Sequence, residues 1–551
     1  MPHLPDRPNS DHLRKQAKDL LRSYRSGDPD AIARFGRALP SARNLSRTET
    51  ISRGFRLHDA QPCIAREYGF ASWDELTIHV EAQLFTRGGR AGGLRAWLAQ
   101  AYGGDVTGSL NPARPRVAAR ALLDAPDLLA DDPYAACAAG NVVALEQMTA
   151  VEPGWVDRPG GPFKLPPLIA VTHSRLGQLP EFRDHLYRSA RFLLQAGADP
   201  NQTIGNRFPP ASLDAPDEKT PLSALYGAAG VNRDPALTKL LLDAGADPND
   251  GESLYHSLEN PDCTRLLLSR GARVSRTNAL RRSLDMADPT ALELLLAHGG
   301  DPNEPANGPP TSDWGAPLLR GIALRRSPSH IQALLAAGAD PSARTPAGIS
   351  AYRLAEQVGM PEVAGILRAA GAAEPLSEAE EFIAACARGD AAEARRIQAR
   401  RPDLPGSLPE AQLRLLPDSV AWGSSAAARV MVALGWPIAA RGGDWKASAL
   451  NLVVFRGDAN LTEFLLAHGA SWREQHGYGD DVTGTLSWAS INEPVEGGDW
   501  AGCARALVAH GLPAAAPDPD DVETVVMDGQ RGRFSPDVAE VLLGADKTPA
   551  D

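Results

Sequence analysis

Aromatic residues are scarce in this chain: Phe, Trp and Tyr make up 6% of 551 residues, although 43% are hydrophobic. That balance suits many small interfaces of Ala and Leu better than one large core. Cysteine is scarcer still. Cys63, Cys137, Cys263, Cys386 and Cys503 are odd in number and scattered, with no Cys-x-x-Cys. Disulfide and zinc frameworks need paired spacing, so these read as core cysteines of a reduced compartment. No stretch reaches the roughly 18 uninterrupted apolar residues of a membrane span. The opening MPHLPDRPNSDHLRK lacks the apolar centre of a secretory signal. The cytoplasm is the expected compartment. Positive charge is in deficit, with a net charge of −12, which argues against broad attraction to nucleic acid or membranes.

What is present is a short phrase that recurs. It reads RFLLQAGADPN at Arg191–Asn201, KLLLDAGADPN at Lys239–Asn249 and ELLLAHGGDPN at Glu293–Asn303, with weaker copies at Arg265–Ser275, Ala333–Ser342 and Phe464–Ala470. Paired leucines form the buried stripe of a short helix. The glycine ends that helix, because the position after it needs φ > 0. Asp-Pro-Asn then turns the chain: Pro cannot continue a helix, and Asp and Asn bond locally to the backbone. The glycine anchors are Gly197, Gly245, Gly271, Gly299, Gly338, Gly371, Gly435, Gly469, Gly511 and Gly544, at spacings of 26 to 64 residues. A degenerate unit at Ser377–Leu404 fills the longest gap. One such unit cannot bury its own apolar face, so neighbours must stack.

On these residues the chain resembles a bacterial ankyrin-repeat protein, whose period is about 33 residues. The first-helix signature T-P-L-H-x-A appears as TPLSAL at Thr220–Leu225, and the fullest unit is SALNLVVFRGDANLTEFLLAHGA at Ser448–Ala470. Related first helices are Ala316–Leu324, Gly348–Gly359 and Thr483–Ala489. The signature His is replaced by Ser223, Leu319, Arg353, Asn451 and Ser487, so the family's hydrogen-bond belt between repeats is expected to be weakened. The resemblance implies an all-α fold, an irregular ankyrin-repeat solenoid of ten to twelve units over residues 135–546, roughly three quarters of the chain. Residues 374–408 mark where it can divide into two blocks, and residues 91–134 form a helical lead-in. Arg outnumbers Lys 49 to 7, an association with GC-rich bacterial genomes.

Residues 1–90 read as a separate helical module. Asn9 or Ser10 can cap a helix with Leu13, Ala17, Leu20, Leu21 and Tyr24 on one face. Asp28 restarts a helix with Pro29 at its first position. A third helix spans about Leu57–Tyr68, and Ser72 caps a fourth carrying Trp73, Leu76 and Val80. The pattern is similar to the module that precedes ankyrin arrays in many bacterial proteins. It carries a net charge of +4, against −16 for the remainder, which permits docking on an acidic surface.

No catalytic set emerges. His298, His468 and His510 each precede a repeat glycine. They are one framework position used three times, where the helix dipole favours a cation, and packed helices about 8–10 Å apart place them poorly to share a metal. GYGDDVTG at Gly477–Gly484 lacks the Lys-Ser/Thr of a phosphate loop. It has a near copy: YGGDVTGSL at Tyr102–Leu110 against YGDDVTGTL at Tyr478–Leu486. The later copy leads into an inner helix and reads as a hairpin tip, the earlier as a cryptic repeat start. Asp518, Asp520 and Asp521 lack the spacing of a calcium loop and read as a solvated turn. No catalytic residue, metal ligand or cofactor is assigned.

The expected function is a non-enzymatic protein-protein interaction scaffold that uses the concave face and the hairpin tips of the array, with an unidentified protein as partner. The alternative is an adaptor whose basic N-terminal module binds nucleic acid or another acidic surface; a cryptic enzyme is the third reading. Two insertions, Gln202–Lys219 with Arg207 and Phe208 and Glu304–Gly315 with Trp314, supply candidate partner contacts, since aromatics and Arg are common hot spots. Tyr478 on the later tip is a fourth candidate. The rival reading of Phe208 and Trp314 is a packed loop anchor.

Overall fold

A computed structural model describes residues 4–5, 8–43, 45–55, 57–87, 90–129, 132–305, 315–518 and 524–544. The chain forms two compact units. The first comprises Met1–Ser312 with Ala336–Ala339, the second Asp313–Leu335 with Asp340–Asp551.

The first unit opens with helices whose ends are set by side-chain caps. Asn9 accepts the Asp11 N–H and starts Ser10–Arg25, which buries Leu13, Ala17, Leu20, Leu21 and Tyr24. Asp28 caps Pro29–Ala38. Between them and Leu57–Glu67 lies a short helix, Arg47–Ser52, held by a reciprocal Ser46–Glu49 cap. Tyr24, Phe35 and Phe55 pack ring against ring at 4.7–5.6 Å. The Tyr24 hydroxyl is not left dry, since it donates to the Thr50 carbonyl at 2.7 Å.

Helical hairpins then follow one another. Eleven occur among the described residues, from Pro133–Ala139 with Val142–Val151 to Val482–Asn492 with Trp500–Ala509. Six of the second helices start on Asp or Asn caps, two of them with Pro next, Asp234-Pro235 and Asn260-Pro261. Second helices bury one leucine stripe: Leu193, Leu241, Leu267, Leu295, Leu334 and Leu465 are all fully buried. Each contributes about 1.5–3 kcal/mol of apolar transfer. The stops at Gly197, Gly245, Gly271, Gly299, Gly371, Gly435, Gly469 and Gly511 all sit at φ between 81 and 96°. Gly544 departs from the pattern: it is the last residue of Pro536–Gly544 and does not enter the left-handed region.

The link between neighbouring hairpins is not the expected local bonding alone. In each Asp-Pro-Asn turn the Asp accepts the Asn N–H at 2.8–2.9 Å. The Asn side chain reaches the next turn: Asn201 Nδ2 donates to the Gly245 carbonyl, Asn249 to Gly271 and Asn303 to Gly338, at 2.9–3.2 Å. Asn201 and Asn249 also accept the N–H of Asp247 and Arg273. The absent histidine belt is replaced as well. Ser223 caps its helix and donates to Asp250, which also holds Ser253 of the following hairpin. Buried Asn451 accepts from the Thr485 hydroxyl at 2.7 Å and donates to the Glu474 carbonyl. Polar links between hairpins therefore persist with other residues.

Short strands decorate the helices. The insertion Gln202–Lys219, read as a loop, pairs Thr203–Asn206 antiparallel with Asp217–Ser223. Near the C-terminal end Ala516–Pro517, Thr524–Met527 and Gln530–Arg533 form a three-stranded sheet. Asp518 is buried there and paired with Arg531, so it is not the solvated turn residue expected from its Pro-rich setting; Asp520 and Asp521 lie outside the described residues. No helix among the described residues is long and apolar enough to cross a membrane.

Candidate binding pocket

The later Tyr-Gly-Asp-Asp phrase sits on a cavity of about 390 Å³ in the second unit. Its walls come from two consecutive hairpins. Arg441–Gly442 pairs with Ala447–Ser448, and the tight turn between them presents Asp444 and Trp445. Ser448 caps the helix Ala449–Arg456, whose last turn supplies Phe455. The next tip brings His476, Tyr478 and Asp480, and the helix Val482–Asn492 adds Gly484, Thr485 and Trp488. Gly484 and Trp488 are one turn apart and share a helix face.

The two tips are clamped together. The Gly477 N–H donates to the Trp445 carbonyl at 2.7 Å, and a Cβ at Gly477 would meet that same oxygen at 2.8 Å. Any larger residue would push the tips apart. His476 organises its own loop: its N–H donates to the Asp480 carbonyl at 3.0 Å, and its Nδ1 accepts the Tyr478 N–H at 3.2 Å. Its Nδ1 is thereby occupied within the loop. Asp481 accepts the N–H groups of Thr483 and Gly484 and caps the helix. Asp480 and Asp444 have no ion-pair partner among the described residues.

The rings form a continuous wall. Trp445 lies 5.5 Å from Phe455 and 5.1 Å from His476, both tilted by 58°. Phe455 stacks on Trp488 at 5.6 Å, and His476 meets Tyr478 edge-on at 5.8 Å. Yet Tyr478 is 82% exposed and Trp488 52%. Behind the wall, burial raises the Asp418 carboxyl above its usual range, and the Asp444 charge adds to the shift.

The other candidates lie elsewhere. Arg207 is 5% exposed and spent inside the first unit: its Nη1 donates to the Val106 and Phe163 carbonyls at 3.0 and 2.6 Å. Placed on the surface by the sequence reading, it is instead an internal clamp, because the insertion folds back on a segment about a hundred residues earlier. Burial lowers its pKa. Phe208 is 51% exposed, with its ring edge over Gly104. Trp314 lies outside the described residues. The pocket residues missed in the sequence are Trp445, Phe455, His476 and Trp488. A signal existed: six of ten tryptophans fall between Trp422 and Trp500.

The remaining reactive groups are engaged in packing. His298 and His468 cap separate helices and donate from Nδ1 to the Leu294 and Phe464 carbonyls at 2.8 Å, while His510 meets Glu463. All five cysteines are buried thiols. Burial pushes Cys63, Cys386 and Cys503 up to about 12 and Cys263 to about 11, so none is poised as a thiolate nucleophile.

No protein-family model matches the chain, and no curated protein matches it. Solved structures do. The crystal structure of the ankyrin repeat domain of Bcl-3 is 22% identical over 37% of this chain and 87% of its own, with a TM-score of 0.30. That of the human ASB11 ankyrin repeat domain is 18% identical over 43% and 99%, with a TM-score of 0.21. The class is assigned on this chain's own hairpins, leucine stripes and glycine stops: an all-α array of ankyrin-type repeats.

Proposed function

We propose that the chain is a non-enzymatic protein-interaction scaffold that engages its partner through first helices and hairpin tips. The observation that carries this reading is the pocket around Tyr478. Phe455 and Trp488 come from first helices and Trp445 and Tyr478 from tips, and two large aromatics there remain exposed. Exposed aromatics beside a cavity mark interaction sites more often than packing accidents. A nucleic-acid role for residues 1–90 has less support, since Arg14, Arg22 and Arg34 are paired with Asp11, Asp19 and Glu67 of the same module.

The test is comparative capture from a cell lysate with the parent and with a Tyr478→Ala/Trp488→Ala double variant. The expected result is loss of specific proteins from the variant eluate at an unchanged melting temperature. Identical eluates would remove the pocket from the binding surface.

A further inference from the structure

We infer that the pocket receives a positively charged side chain, a lysine or arginine of the partner protein, an assignment that rests on the scaffold reading above. A ring face carries negative charge at its centre and attracts a cation held within about 6 Å, with Trp strongest. Trp445, Phe455, Trp488 and Tyr478 line one cavity of about 390 Å³, large enough for one long side chain.

The same cavity is lined by Asp444 and Asp480, both exposed and neither in an ion pair among the described residues. The adjacent Asp481 is different: its carboxylate is consumed by the helix start. The cations nearby are committed to other groups or stand outside the cavity's lining. Arg414 faces Asp418, Arg473 stacks on Trp472 and pairs with Asp528, and Arg456 donates to the Ala421 carbonyl. Lys446 and Arg441 flank the turn but do not line the cavity. His476 is held in its own loop, where its Nδ1 accepts the Tyr478 N–H.

These features select the occupant. An anionic side chain would meet two carboxylates. An apolar one would take both out of water with nothing in return, a costly burial. A lysine or arginine lays its methylene stem on the rings and brings its charge to the carboxylates.

The experiment is calorimetric titration of the full chain with four capped pentapeptides, acetyl-Gly-Gly-Xaa-Gly-Gly-amide, where Xaa is Arg, Lys, norleucine or Glu. Tetramethylammonium serves as the free-cation control. The Arg or Lys peptide is expected to bind about tenfold more tightly than norleucine, with no Glu binding. Asp444→Asn/Asp480→Asn, two exposed changes that leave the rings in place, should remove that advantage without altering the melt. Equal binding of norleucine, or undiminished Arg and Lys binding by the Asn variant, would overturn the inference while leaving the pocket a contact site. Binding of tetramethylammonium as tight as the peptides would overturn the assignment to a partner's side chain. Absence of all binding would also overturn it, and the lysate comparison then decides the scaffold reading separately.

Discussion

Tyr102–Leu110 and Tyr478–Leu486 differ at two of nine positions, yet they fold differently. In the earlier copy Tyr102 is fully buried and its hydroxyl donates to the Ala170 carbonyl at 2.8 Å; in the later copy Tyr478 stands in solvent. The earlier helix lasts only from Gly104 to Thr107 and ends at Gly108 with φ of 76°. The later one runs from Val482 to Asn492. Two local causes separate them. Asp481 precedes its helix and caps it, whereas its counterpart Asp105 lies inside the earlier helix, which starts after Gly103 with no side-chain cap. Beyond the phrase, Pro112 and Pro115 forbid continuation in the first copy, while Ser-Trp-Ala-Ser allows it in the second. Leu110 is consequently 76% exposed and Leu486 buried. The earlier copy is a lock and not the cryptic repeat start its sequence suggested. Its Asp105 accepts from the Tyr226 hydroxyl and, through its carbonyl, from the Arg207 N–H.

The contrast can be broken most sharply at the tyrosines. Tyr102→Ala empties a packed site and should cost about 3–5 kcal/mol in chemical denaturation, while Tyr478→Ala should stay within about 0.5 kcal/mol of the parent. Equal losses would mean that the two copies share one environment. Within the array, Leu241→Ala should cost about 2–5 kcal/mol as a fully buried stripe residue. Arg207→Leu comes next. It leaves the Val106 and Phe163 carbonyls without their donor, at about 1–3 kcal/mol for each buried group unsatisfied. An unchanged melt would return Arg207 to the surface.

Acid should separate the surroundings of the two copies with a smaller effect. Burial lowers His173, beside Asp105, to about 4. Between that value and about 6.5 the unfolded chain binds a proton that the folded chain refuses. Its share of stability is full above about pH 6.5 and declines as the pH falls toward 4. Asp418 and Glu474 near the later copy have the opposite sign, since burial raises both carboxyls and their protonation favours the folded state. Amide exchange corrected for intrinsic rates should show protection around His173 falling from pH 7 to pH 5 more than around Asp418, and His173→Phe should flatten the difference. An unaltered profile in the variant would assign the pH dependence to other groups.

Much of the frame was legible because it is written in short-range signals. The Leu-Gly phrase marks second helices and their stops, and Asn9 and Asp28 announce the caps of the first two helices. The Asn ladder was not legible, since Asn201 and its acceptor Gly245 are 44 positions apart and each also makes sense locally. The pocket was half legible. Tyr478 could be named as a tip residue, but joining it to Trp445 and Trp488 requires knowing that two tips are clamped at Gly477. Arg207 could not be read at all from its own loop, because its acceptor Val106 lies 101 positions away.

The central claim, that the later copy and not the earlier one meets a partner, is tested most directly by photo-crosslinking. A benzophenone side chain is placed at Tyr478 in one variant and at the exposed Leu110 in another, and adducts are compared after irradiation in cells. A discrete adduct from position 478, lost when Trp488→Ala is added and absent from position 110, is the expected result. An adduct from position 110 with none from 478 would contradict the claim.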